Sequence, residues 1–70
     1  MPTTGPQLRK ERRALEITVQ AVSAQMGRSR QTIHGWERAV SVPPEFASEY
    51  RVALLLIRDA REASDAEATA

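Results

Sequence analysis

The sequence contains no cysteine and one histidine, His34. The first absence excludes a disulfide framework and thiolate metal ligation. A lone imidazole with no Cys, His or carboxylate cluster around it does not make a metal site, so no metal is expected. Glycine is sparse, at Gly5, Gly27 and Gly35, and no Gly-rich loop suited to a cofactor is present. The longest apolar run, "VALLLI" from Val52 to Ile57, is far too short to span a membrane, and the opening "MPTTGPQLRKERR" lacks the apolar centre of a secretion signal. The expectation is a soluble, cytoplasmic protein with no membrane partner and no small-molecule ligand. Seventy residues allow one small domain, because chains of this size bury only about 60% of their unfolded surface. A sizeable cleft is not expected, and no constellation for acid–base or nucleophilic chemistry is evident, so the chain does not read as an enzyme.

What the chain does have is an uneven distribution of charge. The formal net charge is +1, yet residues 1–40 carry seven basic against three acidic side chains, whereas residues 41–70 carry three against six. A basic front and an acidic back suit a protein that meets a polyanion with one end.

Local signals divide the chain into helices. Residues 1–5 read as a flexible N-terminus. Pro6 is preorganised for a first helix to about Leu15, with Leu8 and Leu15 inward. Thr18 is an N-cap for a second helix to Met26, which Gly27 ends in a left-handed turn, and Ser29 caps a third through Glu37 or Arg38. Pro43 and Pro44 interrupt the pattern, and Pro44 can open a fourth helix to about Arg61. Residues 63–70 read as a disordered tail after a domain spanning 6–62. No alternating run suggests a strand, so the fold class is all-α: a small domain of four to five helices, the last long and apolar.

The second and third helices carry the functional signal. Val22 and Met26 lie four apart on one, and Ile33 and Trp36 three apart on the other, so the two pairs can pack together. Two short helices joined by a tight turn containing Gly form the unit that places its second helix in the DNA major groove. This packing leaves Arg28, Arg30, Gln31, His34 and Gly35 outward. Arg can pair bidentately with guanine and Gln with adenine, which makes Arg30 and Gln31, at the start of the third helix, candidates for base readout, with His34 and Gly35 one turn further along. Arg9, Lys10, Arg13, Gln20, Arg28, Ser29, Thr32 and Arg38 are candidate phosphate contacts.

At these residues the sequence resembles the Cro and phage-repressor (XRE) family of helix-turn-helix proteins, whose fold is lambda-repressor-like. The resemblance runs from about Leu8 to Pro43. It rests on "LRKERR", "ITVQAVSAQMG" and "SRQTIHGWER" followed by proline, with ungapped spacing throughout. It implies an ion pair between Arg12 and Glu37, and a transcriptional regulator, specifically a repressor of phage or mobile-element origin (Cro-like, anti-CRISPR-associated or antitoxin-type). Val19 stands where the family often has a phosphate-contacting Gln. Ala39 stands where a Gly usually ends the third helix, so that helix either ends differently or holds Ala in a left-handed conformation at about 1–2 kcal/mol.

The fourth helix has more apolar residues than one stripe can use. Phe46, Tyr50, Ala53, Leu54 and Ile57 fall on one side, and Val52, Leu55 and Leu56 mostly on the other. Such a helix needs a second packing partner, and a copy of the chain is the expected one. Val52, Leu54, Leu55 and Leu56 are therefore candidates for a homodimer interface, which would require an inverted-repeat operator in double-stranded DNA. The alternative reading is a protein-interaction module of the same fold, such as an antitoxin that binds its toxin.

Overall fold

The computed structural model describes the backbone of residues 2–69 and the side chains of residues 2–65. Four helices follow in order, and no strand occurs among the described residues: α1 (Gly5–Ala14), α2 (Val19–Met26), α3 (Arg30–Arg38) and α4 (Pro44–Thr69). Each short helix begins with a hydroxyl cap. The Thr4 hydroxyl accepts from the Gln7 amide at 3.2 Å while the Gln7 side chain accepts from the Thr4 amide at 3.5 Å, and Thr18 and Ser29 accept from the amides of Ala21 and Thr32. These bonds satisfy amides that have no partner within the helix.

Within the segment expected to be flexible, residues 1–5, Thr3 and Gly5 are tied to the rest of the domain by hydrogen bonds. Gly5 is buried, and its amide donates to the Ala39 carbonyl at 2.9 Å. A Cβ at Gly5 would lie 2.2 Å from the Trp36 carbonyl oxygen and 2.6 Å from the Glu37 carbonyl carbon, so only glycine lets the first turn of α1 rest on the last turn of α3. The Thr3 carbonyl accepts from the Val42 amide at 2.9 Å, and the Thr3 hydroxyl accepts from Arg51 at 3.2 Å. The anchoring uses backbone and a hydroxyl rather than apolar side chains, which is why the sequence suggested slack there. Met1 lies outside the described residues.

Between α1 and α2, Glu16 adopts φ 56°, a left-handed conformation that disfavours residues with a side chain. Arg61 donates to the Leu15 carbonyl at 2.9 Å and to that of Glu16 at 3.3 Å, so α4 holds this turn from across the domain. Three residues join α2 to α3. Gly27 takes φ 67°, the Arg28 amide donates back to the Ser23 carbonyl at 3.1 Å, and the Ser23 hydroxyl donates to the Arg28 carbonyl. At the end of α3, Ala39 is extended (φ −71°, ψ 142°), so the helix stops without a left-handed alanine. The chain then turns through Val42 to Pro44, where the Pro43 carbonyl accepts from Phe46 and Ala47.

The core is aliphatic with one tyrosine: Leu8, Ile17, Val22, Ile33, Tyr50 and Leu54 are buried, and Met26, Trp36, Phe46 and Ile57 pack around them. α4 lies against α1 and α2, and α3 lies against α1 and α2. The inward stripe of α4 is the one through Tyr50, Ala53 and Leu54. Leu54, a candidate dimer residue by sequence, is only 3% exposed and closes the domain's own core, so it has no surface to offer a second copy. Val52, Leu55 and Leu56 face outward, each about half exposed. α4 also continues beyond the expected end at Arg61, through the segment read as a disordered tail, to Thr69; Ala70 lies outside the described residues. No helix of the described residues is long and apolar enough to cross a membrane.

The close approach at Gly5 makes a direct test. Gly5→Ala is expected to destabilise the domain by about 1–3 kcal/mol, the range for overpacking a tight contact, despite the better helix propensity of alanine. Thermal unfolding followed by circular dichroism measures this, and an unchanged or higher melting temperature would show that α1 and α3 do not meet so closely.

Candidate nucleic-acid interface

α3 is positioned by a buried polar knot. Glu37, 4% exposed, accepts from Arg12 Nε at 2.8 Å and Nη2 at 3.0 Å, and from the Tyr50 hydroxyl at 2.6 Å. The remaining Arg12 nitrogen, Nη1, donates to the Ile17 carbonyl at 2.8 Å. Burial alone would raise the Glu37 pKa. The hydrogen bonds from Arg12 and Tyr50 outweigh it and hold the carboxyl below its ordinary value. Burial and the bond to Glu37 push the Tyr50 hydroxyl well above its ordinary range. The knot pins α3 to α1 through Arg12 and to α4 through Tyr50.

With Ile33 and Glu37 buried, helical geometry turns Gln31, His34, Gly35 and Arg38 to solvent, spaced at i, i+3, i+4 and i+7, with Arg30 exposed at the N-terminal end. Arg9 and Arg13 of α1 line a shallow groove together with His34 and Arg38 of α3, and Arg9, Lys10 and Arg13 line the next depression along α1.

The pairing of cations singles out this face. Of the ten basic side chains, five have intramolecular partners: Arg12 with Glu37, Arg28 with Glu49, Arg51 with Glu11, Arg58 with Asp59 and Glu62, and Arg61 with two backbone carbonyls. The other five, Arg9, Lys10, Arg13, Arg30 and Arg38, have none among the described residues. All five lie on α1 or α3. Among the described residues, the basic side chains without a partner are thus confined to the two helices that frame the groove, and such a surface attracts polyanions.

Some candidate contacts are occupied otherwise. The Arg28 guanidinium sits 5.4 Å from the centroids of both Trp36 and Phe46, whose rings stack 5.1 Å apart, and it reaches Glu49 at 3.4 Å. It therefore lies on the α4 side of α3, away from the outward stripe. The Ser29 hydroxyl serves as the α3 cap and bonds the Thr32 hydroxyl at 2.9 Å. Gln20 is exposed near the start of α2, while Val19 packs against the core. Trp36 is only partly buried, one face being covered by Phe46. The sequence reading missed the role of Tyr50, although an inward tyrosine needs a partner for its hydroxyl and so carried a signal. It also missed the bidentate Arg51–Glu11 pair, at 2.8 and 3.0 Å, which joins residues 40 apart.

No group of acidic, histidine or cysteine side chains among the described residues could hold a metal ion. Comparison of the chain with protein-family models, with curated proteins and with solved structures yields no match.

Breaking the knot tests its weight. Glu37→Ala strands the largely covered Arg12 guanidinium and is expected to cost up to about 3–5 kcal/mol, while Tyr50→Phe removes one bond to a charged acceptor at about 1.5–3 kcal/mol. Because the Glu37 pKa is depressed in the folded state, its contribution is complete above the ordinary carboxylate range and is lost as the pH falls through the folded value. Melting temperatures across an acid titration check both points. The wild type should lose more stability on acidification than Glu37→Gln, and parallel curves would contradict the assignment.

Proposed function

We propose that the chain is a sequence-specific DNA-binding regulator in which α2, the Gly27–Ser29 turn and α3 form a helix-turn-helix of the Cro and phage-repressor type. The carrying observation is that the five basic side chains without a partner among the described residues all lie on α1 and α3, beside an outward α3 stripe of hydrogen-bonding side chains. In this reading α3 enters the major groove. Arg30 and Gln31 reach base edges from its first turn, His34 and Gly35 lie against the duplex, and Arg9, Lys10, Arg13 and Arg38 meet phosphates on either side. Gln20 contacts the backbone from α2. Ser29 and Thr32 support the approach through the cap they share, and Arg28 acts indirectly by stacking beneath α3.

The same reading makes the protein a homodimer. Val52, Leu55 and Leu56 form an outward apolar face on α4 that the domain's own core leaves uncovered. A twofold pairing through this face would set two copies of α3 about one DNA turn, roughly 34 Å, apart on an inverted repeat. Repression by occupancy of such an operator is the regulatory role proposed.

Selection from a random DNA library with the purified protein tests the reading, with an enriched inverted repeat as the expected result. Arg30→Ala and Gln31→Ala should each weaken binding to the selected site by about 1–3 kcal/mol and relax preference at one position. Arg13→Ala and Arg38→Ala should instead weaken all sequences alike and lower the salt dependence by about one unit each. No enrichment of any sequence sinks the proposal and favours a protein-interaction module. For the dimer, Leu55→Glu should yield a folded monomer in sedimentation with cooperative operator binding lost. A wild type that is monomeric both free at micromolar concentration and on its site rules the dimer out.

A further inference from the structure

The three glycines of this chain do not have equivalent reasons to be glycine. Gly5 has no room for a Cβ, because the α3 backbone lies 2.2 Å from where it would sit. Gly27 has room but adopts φ 67°, where a side chain is strained. Gly35 has neither constraint. It lies inside α3, it is not among the residues with positive φ, and a Cβ built there meets nothing within 4 Å.

Glycine in a helix interior is nevertheless destabilising relative to alanine. In a marginally stable domain of 70 residues that loss is a sizeable fraction of the total stability. No contact among the described residues compensates for it. The position is also specific: Gly35 is exposed on the outward stripe of α3, one turn after Gln31 and one before Arg38, so the missing side chain leaves a gap in the middle of the polar row.

We infer that Gly35 is a recognition determinant that acts through its lack of a side chain, admitting the wall or floor of the major groove to the α3 backbone more closely than any other residue there would allow. The inference rests on the DNA-binding reading above and deepens it. The gap sets how deep the helix sits, and depth decides whether Gln31, whose side chain is shorter than that of Arg30, can pair with a base edge. A side chain at position 35 stabilises the free protein and lifts the helix off the duplex. Stability and binding are therefore opposed at this one position.

The test uses the full chain and the DNA site selected by the wild type. Gly35→Ala is expected to melt about 4–8 °C above wild type, the shift that corresponds to the helix-propensity gain in a domain of this size. It should bind the selected site roughly tenfold more weakly or worse, comparable to losing one bidentate base contact, and Gly35→Leu should bind more weakly still. A Gly35→Ala protein that melts higher and binds as tightly as wild type overturns the inference while leaving the DNA reading in place. A wild type that enriches no sequence overturns the DNA reading, and this inference falls with it.

Discussion

One carboxylate holds the arrangement together. Glu37 sits on α3, accepts two bonds from Arg12 of α1 and one from Tyr50 of α4, and is almost fully withdrawn from water. Removing an ion pair from water costs several kcal/mol per charge, and the pair's attraction offsets this only when the remaining donors and acceptors are also met. Here the requirement is met in full: Arg12 spends its remaining nitrogen on the Ile17 carbonyl, and no buried side-chain nitrogen or oxygen among the described residues lacks a partner. A packing that slid α3 along α1 or away from α4 would leave a bare charge inside. The knot thus converts general apolar collapse into one particular placement of α3.

The rest of the fold supports that placement from both ends of the helix. At its start, α3 is held by local chemistry, the Ser29 hydroxyl cap and the left-handed Gly27 turn. At its end it is held by distant chain, since Gly5 lies against the Trp36 and Ala39 carbonyls and Thr3 pairs with Val42. Trp36 and Phe46 stack between α3 and the start of α4, with Arg28 closing the stack. Only the outward side of α3 is left without an intramolecular role.

Much of this was legible in the sequence where the determining chemistry is local. Thr18, Gly27, Ser29 and Pro44 mark helix ends because capping hydroxyls, a left-handed glycine and a helix-opening proline act within a few residues. The exposed row of Gln31, His34, Gly35 and Arg38 follows from the period set by Ile33 and Trp36. What stayed hidden depends on contacts between distant segments. Gly5 looks like slack until α3 is folded against it, Glu16 offers no warning of a left-handed turn, and Leu54 belongs to one of two apolar stripes that periodicity alone cannot rank. The same holds for the arginines. Arg28 and Arg51 are indistinguishable from Arg13 in sequence, and they differ only because carboxylates 21 and 40 residues away come within reach.

The outward residues of α3 have a further consequence for how such a protein changes over generations. Arg30, Gln31, His34 and Arg38 make no hydrogen bond or ion pair among the described residues, whereas Ile33 and Glu37, interleaved with them, are buried. Substitutions at these four exposed positions of a single nine-residue helix are therefore nearly silent for folding, while those at Ile33 and Glu37 are severe. Inheritance can rewrite the exposed letters freely against a fixed spelling beneath them, so descendants of this chain can diverge in what they touch long before they diverge in shape.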